Sequence, residues 1–437
     1  MKKNILLQTR FRRLKAYLFP VQSNILPEKL QKNFRHLYFD IAWFGLLNGS
    51  AISFLTIFAA RLGASGSQIG LINATPAVIS LTLALPIGSW LENRKLDRSV
   101  FLSTIFHRFF YFLFALLPLL LISDETQIWI ITVLTLVMSI PGAVIAVGFN
   151  VLFAAAVPAN YRGMVAGRRN AVFAVVTVLT SLISGRILTT MPFPTGYQII
   201  FLMGAIGGVM SAIHIWFVKP YVLQPKPVSA ARTSKGFTFK QPIRRFLIYF
   251  SSHYHPEALK GKFGKVLLLL TLYHFFHYLS IPLFPIFTVN NLNLNDQVIS
   301  LGNAFFYVTM FIGSTQLAKL TSRYGNHKIT AIGMIALGLY PTTLSLATGP
   351  TMFMVSMILA GFAWALGGTA MVNYLLDAVP SEKSAGYMAW FTVGVNAAIL
   401  LGNSIGPLIA AWLGLPVALF IFGLLRSAAG LIVLKRG

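Results

Sequence analysis

Cysteine is absent from this chain of 437 residues, which excludes disulfide bonds and thiolate chemistry. The HExxH motif of zinc peptidases, the Walker loop of nucleotide hydrolases and the nucleophile elbow of serine hydrolases are absent as well. His253 and His255 are close in sequence, but no third ligand lies at a spacing typical of a metal site. We therefore expect no enzyme, no bound cofactor and no metal.

Acidic residues are scarce: the chain has 10 Asp and Glu against 35 Lys and Arg, which gives a net charge of +25. Hydrophobic residues make up 56%, and a soluble globule of that composition would expose far too much apolar surface. The composition therefore predicts a membrane protein. We interpret the positive charge as the excess of Lys and Arg that cytoplasmic loops carry, because no nucleic-acid-binding motif accompanies it.

Twelve apolar runs are long enough to cross a bilayer, which takes about 20 mostly apolar residues in a helix. Six runs precede a long polar stretch and six follow it. The predicted fold is therefore all-α, a polytopic membrane protein with twelve transmembrane helices in two pseudo-symmetric six-helix bundles. The predicted spans are 34–60, 68–91, 100–122, 127–157, 165–190 and 197–218, then 264–289, 298–320, 328–348, 351–378, 385–413 and 416–434.

The polar segments divide the chain into four predicted parts. These are a basic N-terminal arm at 1–35, a first six-helix bundle at 36–219, a linker at 220–263 and a second bundle at 264–437. The arm is expected to be either a surface helix on anionic lipid headgroups or a disordered tail. Because Lys and Arg are concentrated in the arm, the linker and alternate turns, both termini are expected to be cytoplasmic, in an inner or plasma membrane.

Two stretches more than two hundred residues apart repeat one pattern. Residues 150–165 contain the tripeptide Ala156-Val157-Pro158, and residues 373–386 contain Ala378-Val379-Pro380. Each stretch ends one apolar run and begins the next, so the second half looks like a copy of the first. Internal duplication of membrane helices is typical of transporters that rock two halves around a central site.

The turns after spans 2 and 8 each carry a short motif of small and charged residues. Residues 88–92 read GSWLE, with Gly88 and the acid Glu92, and residues 323–328 read RYGNHK, with Arg323 and a basic end. With twelve spans in two halves and a basic central loop, these turns make the chain resemble the major facilitator superfamily of secondary transporters. The resemblance implies alternating access between two bundles, and it covers essentially the whole chain from residue 34 to residue 434.

Charged residues at span ends are candidates for gating. Gly88 allows a close approach of two helices, and Glu92 is either an inner gate that links the two halves or an interfacial acid that balances nearby arginines. Asp40 and Arg108 lie at shallow depth in spans 1 and 3 and are expected to pair, as a structural or gating contact. Arg426 in span 12 has the length to extend toward the cytoplasmic end, and its expected role is lipid-facing or interhelical. The gating set is Gly88, Glu92, Asp40, Arg108, Arg323 and Asp377.

No Asp or Glu lies near the middle of any predicted span, so a cationic substrate would find no buried counter-charge. Proton coupling through a buried carboxylate is disfavoured for the same reason. His274 and His277 are three residues apart, hence on one helix face, and lie near mid-membrane in span 7. They are candidates for substrate hydrogen bonding or proton coupling, or else two histidines whose hydrogen bonds to neighbouring helices are satisfied.

Uncharged polar and aromatic residues lie at similar depth in spans that line the cavity of the resembling family. The candidate substrate-binding set is Asn48, Ser53, His274, His277, Tyr307, Trp364 and Asn396. Hydrogen bonds and ring stacking suit a neutral or amphipathic organic molecule, moved by secondary active or facilitative transport. The alternatives are a scaffold or sensor that has lost transport and a lipid translocator. Expected partners are this substrate, anionic lipid headgroups at the inner face and protons, with no nucleic acid and a monomeric protein.

Overall fold

The computed structural model describes residues 26–92, 94–120, 122–221, 259–379 and 384–437. Most of the predicted arm, and the linker with its two histidines, therefore lie outside the described residues. The side chains of Gly88 and Glu92, inside a described helix, lie outside them too. All regular structure in the described ranges is helical.

The first half contains six helices, which we number in chain order. They are α1 Glu28–Arg61, α2 Gly66–Glu92, α3 Leu96–Leu116, α4 Asp124–Ala156, α5 Ala159–Thr190 and α6 Thr195–Phe217. The second half begins with α7 Gly261–Asn291 and continues with the helical stretch Asp296–Ser345, which holds α8 and α9. It ends with α10 Pro350–Leu376, α11 Ser384–Leu413 and α12 Leu415–Arg436.

Ten helices of the described ranges are long and apolar enough to cross a membrane, with Asp296–Ser345 counted as one helix of 50 residues. Gly325 interrupts that helix at φ 80° and ψ 158°, a conformation that L residues avoid, so the stretch forms two spans, α8 at 296–324 and α9 at 326–345. The 27-residue helix α2 adds another. The predicted architecture of twelve helices is therefore confirmed, and the chain is a multi-pass membrane protein.

Helix ends follow local chemistry. α1 begins at Glu28, earlier than predicted, because Pro27 precedes it and an acidic first turn suits a helix N-terminus. The Asn295 side chain accepts a hydrogen bond from the Val298 amide and caps α8. Gly414, at φ 83°, forms the one-residue turn between α11 and α12.

The two halves share one hydrophobic core on one side of the membrane and have separate cores on the other. We call the side of both described chain ends the terminal side and the opposite side the closed side. On the closed side, residues of both halves, such as Phe58 and Leu283, belong to one buried cluster. On the terminal side, Leu30 and Val218 lie in a cluster of the first half alone, and Val433 lies in a cluster of the second half alone.

Small residues bring the halves together on the closed side. α2 contacts α11, where a Cβ added to Gly66 would lie 3.1 Å from the Pro407 Cβ atom. α5 contacts α8, where a Cβ on Gly185 would overlap Ser300. Such residues allow two backbones to approach closely without interlocking large side chains. The halves therefore pack together on the closed side and, in the described residues, share no buried cluster on the terminal side, where the structure is open.

The absence of native cysteine gives a direct test of this conformation. In a Gly66→Cys, Pro407→Cys variant, the two Cβ atoms lie close enough for a disulfide after a small shift, so copper phenanthroline should cross-link the pair rapidly. A Gly163→Cys, Ser322→Cys pair on the terminal ends of α5 and α8 should react much more slowly, because a Cβ added to Gly163 would have no atom within 4 Å. Mass spectrometry of the digested protein measures both yields, and faster cross-linking of the second pair would contradict the described opening.

Candidate functional site

Helix α1 widens at Asn48–Ile52, which forms a π-helical turn in the middle of the span. Asn48 lies at its start and is buried, and its Nδ2 donates a hydrogen bond of 2.8 Å to the Tyr307 hydroxyl on α8. Ser53 donates to the Asn48 carbonyl oxygen at 2.7 Å. π-helical turns are frequent at functional sites, and this one places three of the predicted site residues together, across the boundary between the halves.

Aromatic rings extend this contact into the first half. The Tyr307 ring meets the Phe173 ring of α5 edge to face, with centroids 5.9 Å apart. Phe173 stacks on Phe44 of α1 at 5.7 Å. The small-residue contacts Gly66–Pro407 and Gly185–Ser300 lie on the closed side of this layer. The layer around Tyr307 therefore lies on the terminal side of the close contacts between the halves.

The two predicted histidines lie together on α7, among aromatic rings. The His277 ring lies 5.9 Å from the Trp364 ring of α10 and 6.1 Å from the Tyr273 ring. His277 is buried, and its Nδ1 atom has no hydrogen-bond partner, whereas His274 Nδ1 donates to the Leu270 carbonyl oxygen at 2.7 Å. Trp364 remains 42% exposed, so the cluster has an accessible edge.

Asn396 occupies a separate position on α11. Its Nδ2 donates to the Thr392 carbonyl oxygen of its own helix at 2.8 Å. One turn earlier, the Phe391 ring approaches the His274 ring, with centroids 6.1 Å apart. The structure therefore connects α11 to the histidines through Phe391, a residue that the sequence analysis did not select.

The sequence analysis predicted that Asp40 pairs with Arg108, and this prediction is wrong about which arginine binds Asp40. The Asp40 carboxylate pairs with Arg169 of α5 at 2.9 Å and accepts a hydrogen bond of 2.7 Å from the Ser211 hydroxyl. The Arg108 guanidinium lies 4.6 Å from the centroid of the Phe44 ring. The prediction used only the depth of each residue along its predicted span, which is similar for Arg108 and Asp40. In the structure α5 packs against α1 and brings Arg169 nearer to Asp40.

Arg426 has the interhelical one of its two expected roles and does not extend toward the cytoplasmic end of α12. It is 1% exposed and lies inside the second bundle, where its Nε donates to the Tyr273 hydroxyl at 3.3 Å. Its Nη1 atom is buried without a hydrogen-bond partner. The sequence shows that Arg426 lies mid-helix, but not that this face of α12 turns inward.

An ion pair that sequence reasoning missed closes the opposite end. Arg61, at the end of α1, contacts the Asp296 carboxylate at the start of α8 at 3.0 Å, with side chains 25% and 11% exposed. Arg61 also donates to the Leu294 carbonyl oxygen. The sequence did offer one signal for this pair: Arg61 and Asp296 are opposite charges on the predicted outer side, which has few charged residues. This pair links the two halves directly on the closed side.

On the terminal side, the predicted gating residues Asp377 and Arg323 make separate contacts. Asp377 accepts a hydrogen bond of 2.9 Å from the Asn326 amide, which joins the turn after α8 to the end of α10 within one half. Arg323 is exposed and lies 5.2 Å from the centroid of the Tyr324 ring. A gating role stays a prediction for the whole set, Gly88, Glu92, Asp40, Arg108, Arg323 and Asp377.

Comparison with known proteins gives one family and several similar folds. The model of the Major Facilitator Superfamily matches residues 41–258 and 266–436. A structure of the xylose transporter XylE from E. coli in a partially occluded inward open conformation has a TM-score of 0.66 at 12% identity, covering 94% of this chain and 98% of that one. No curated protein sequence matches the chain.

Two further solved structures are similar. A variant of the nucleoside transporter NupG has a TM-score of 0.63 at 13% identity, covering 92% of this chain and 99% of its own. A POT family transporter in complex with a thioalcohol conjugated peptide has a TM-score of 0.66 at 14% identity, with coverages of 93% and 99%. At these identities the likeness concerns the fold.

The Arg61–Asp296 pair should hold the closed side shut. A cysteine placed at Ser300, which is buried against Gly185, reacts with maleimide only when α5 and α8 separate. Arg61→Gln or Asp296→Asn should raise the labelling rate about fivefold, since losing about 1 kcal/mol changes a two-state ratio by that factor.

The charge-swapped double variant Arg61→Asp, Asp296→Arg should restore slow labelling. Arg186→Gln, which changes an exposed arginine of α5, serves as the control and should leave the rate unchanged. Equal labelling rates in all of these variants would show that the ion pair does not hold the halves together.

The Asp40–Arg169 pair should matter mainly for stability. Asp40→Asn leaves the buried Arg169 charge unpaired, which is expected to lower the free energy of unfolding by about 3 kcal/mol. Ser211→Ala removes one hydrogen bond to the same carboxylate and should cost about 1 kcal/mol. Thermal unfolding in detergent should also rank Arg169→Gln as more damaging than Arg108→Gln, and the reverse order would favour the original pairing.

Proposed function

Since this chain belongs to the Major Facilitator Superfamily, we propose that it moves a neutral or amphipathic small organic molecule across a membrane by alternating access, in secondary active or facilitative transport. The observation that carries this proposal is the asymmetry of the core. The halves share one buried cluster on the closed side and have separate clusters on the terminal side. In this proposal a central hollow lies between the halves on the terminal side. Rocking the halves would close it on that side and open it to the other face of the membrane.

Among the described residues, each polar link that rocking must break is weak enough for a substrate to compete with it. On the closed side they include the Arg61–Asp296 ion pair, and deeper in the protein the Asn48–Tyr307 hydrogen bond. Each such contact contributes roughly 1 kcal/mol. A ligand that prefers one state by a few kcal/mol therefore changes which state is populated.

The side chains near the hollow support the proposed substrate class. His277, Trp364, Tyr307 and Asn48 offer hydrogen bonds and aromatic surface, and Asp40, a buried carboxylate of the first bundle, is already paired with Arg169. A cationic substrate would therefore find no free counter-charge among these residues. The proposed coupling group is the His274 and His277 pair, because histidine is the side chain that titrates near neutral pH.

The distribution of basic residues supports the proposed orientation. Lys32, Arg162, Arg323 and Lys435 all lie on the terminal side, at or near helix ends. Lys and Arg concentrate on the cytoplasmic side of membrane proteins, so the hollow would open to the cytoplasm and both termini would lie there. We propose an inner or plasma membrane as the location.

The test is an unbiased transport screen. Purified protein in proteoliposomes is given a metabolite mixture, and uptake and export are measured by mass spectrometry with and without a pH gradient. At least one neutral or amphipathic compound should move faster than into protein-free vesicles, and the same compound should raise the thermal unfolding temperature of the protein in detergent.

For that compound, His274→Ala and His277→Ala should each lower transport at least tenfold, a change of about 1.4 kcal/mol. His327→Ala is the matched control, since His327 contacts the Val433 carbonyl oxygen at the end of the second bundle. Full transport in both histidine variants would remove their proposed role. No transport and no thermal shift for any compound would favour a scaffold or sensor, and activity that depends on lipid headgroups would favour a lipid translocator.

A further inference from the structure

Arg426 is a buried cation that lacks a carboxylate partner in the described part of the chain. The second half, residues 264–437, contains three acidic residues: Asp296, Asp377 and Glu382. Asp296 pairs with Arg61 on the closed side, and Asp377 contacts Asn326 at the terminal end. Glu382 lies outside the described residues. Arg426, near the middle of α12, is far along the helix from both ends.

The hydrogen bonds of Arg426 are incomplete. A guanidinium carries five N–H donors, and buried donors in proteins are normally paired. The structure gives Arg426 one hydrogen bond, from Nε to the Tyr273 hydroxyl, while Nη1 is buried without a partner. A side chain with only a packing role would leave this positive charge uncompensated in hydrocarbon.

A chain of contacts connects Arg426 to the accessible edge of the site. Tyr273 contacts Arg426 through its hydroxyl group and contacts His277 through its ring, at 6.1 Å. His277 in turn lies against Trp364, which is 42% exposed. His277 Nδ1 is the second buried polar atom of this cluster without a partner, and it donates in one tautomer and accepts in the other.

The interior of the first half has the same sign of charge. Asp40 is buried beside Arg169, and Arg108 is buried as well, so two guanidinium groups accompany one carboxylate. Together with Arg426, the described interior thus has an excess of positive charge. In a medium of low dielectric constant, such charges attract an anion over a longer distance than they would in water.

We propose that the transported molecule is an amphipathic organic anion, whose negatively charged group binds beside His277 while its apolar part lies against Trp364. This proposal rests on the proposed transport function and specifies its substrate class. His277 forms the hydrogen bond to the anionic group. Arg426 is a positioning residue, because it supplies positive charge from behind Tyr273 without reaching the accessible edge itself.

The test uses pairs of molecules that differ in charge and little else: benzoate with benzamide, and indole-3-acetate with indole-3-acetamide. Apparent Kd values are measured by thermal shift in detergent at constant ionic strength, and transport is measured in proteoliposomes. The unmodified protein should bind the carboxylate member of each pair at least tenfold more tightly than the amide member.

Substitutions then assign the preference to Arg426. Arg426→Gln should abolish the tenfold preference, Arg426→Lys should retain part of it, and Arg186→Gln, at an exposed arginine, should leave it unchanged. A merely structural arginine would lower stability without changing selectivity between carboxylate and amide. If Arg426→Gln does not fold, the carboxylate-to-amide preference is compared between the unmodified protein and Arg426→Lys. An equal preference in the two proteins would then contradict the role of Arg426.

The outcomes separate this inference from the proposed function. Equal binding or transport of both members of a pair, or a preference that Arg426→Gln leaves intact, overturns the inference while transport stands. If no pair member is transported but the metabolite screen finds another solute, an uncharged or cationic solute overturns the inference, and an anion that depends on Arg426 supports it. If no solute is transported at all, both proposals fail.

Discussion

The hydrocarbon of the membrane imposes the constraint on which the rest of this structure depends. Without water, each backbone group must be satisfied inside its own helix, and each buried charge needs a partner. The described chain meets the first demand with twelve helices and the second with the Asp40–Arg169 pair. Arg426 meets it only in part, through Tyr273. Two of the unpaired buried atoms of the second bundle, Arg426 Nη1 and His277 Nδ1, belong to side chains on either side of Tyr273.

The contact between the halves combines close approach with the capacity to separate. On the closed side, Gly66, Gly70 and Gly185 lie against the opposite half, and added Cβ atoms there would press on their neighbours. Backbone surfaces of this kind gain from van der Waals contact at close approach. The polar links near them, Arg61–Asp296 and Asn48–Tyr307, fix the register of the two halves. Such a boundary can re-form elsewhere without repacking the interior of either bundle.

Much of the fold could be predicted from the sequence because apolar length determines the number of spans, and the repeated Ala-Val-Pro turns mark the two halves. Spacing also placed His274 and His277 on one helix face, and the structure adds Trp364 beside them. The partner of Asp40 could not be predicted, since hydropathy gives the depth of a residue but not the direction in which its helix faces. The same limit applies to Arg426. The pair Arg61–Asp296 joins positions 235 residues apart, and only the packing of the halves brings them into contact.

The wide turn in α1 has a geometric effect on everything that follows it. A π-helical turn holds one residue more than a regular turn, so the later part of the helix is rotated by about 100° relative to an uninterrupted α-helix. Arg61 lies beyond Asn48–Ile52, whereas Asp40 lies before it. The insertion of a single position thus allows one span to present its early portion to its own bundle at Arg169 and its late portion to the opposite bundle at Asp296. A helix of uniform pitch would aim one of these two charges away from its partner.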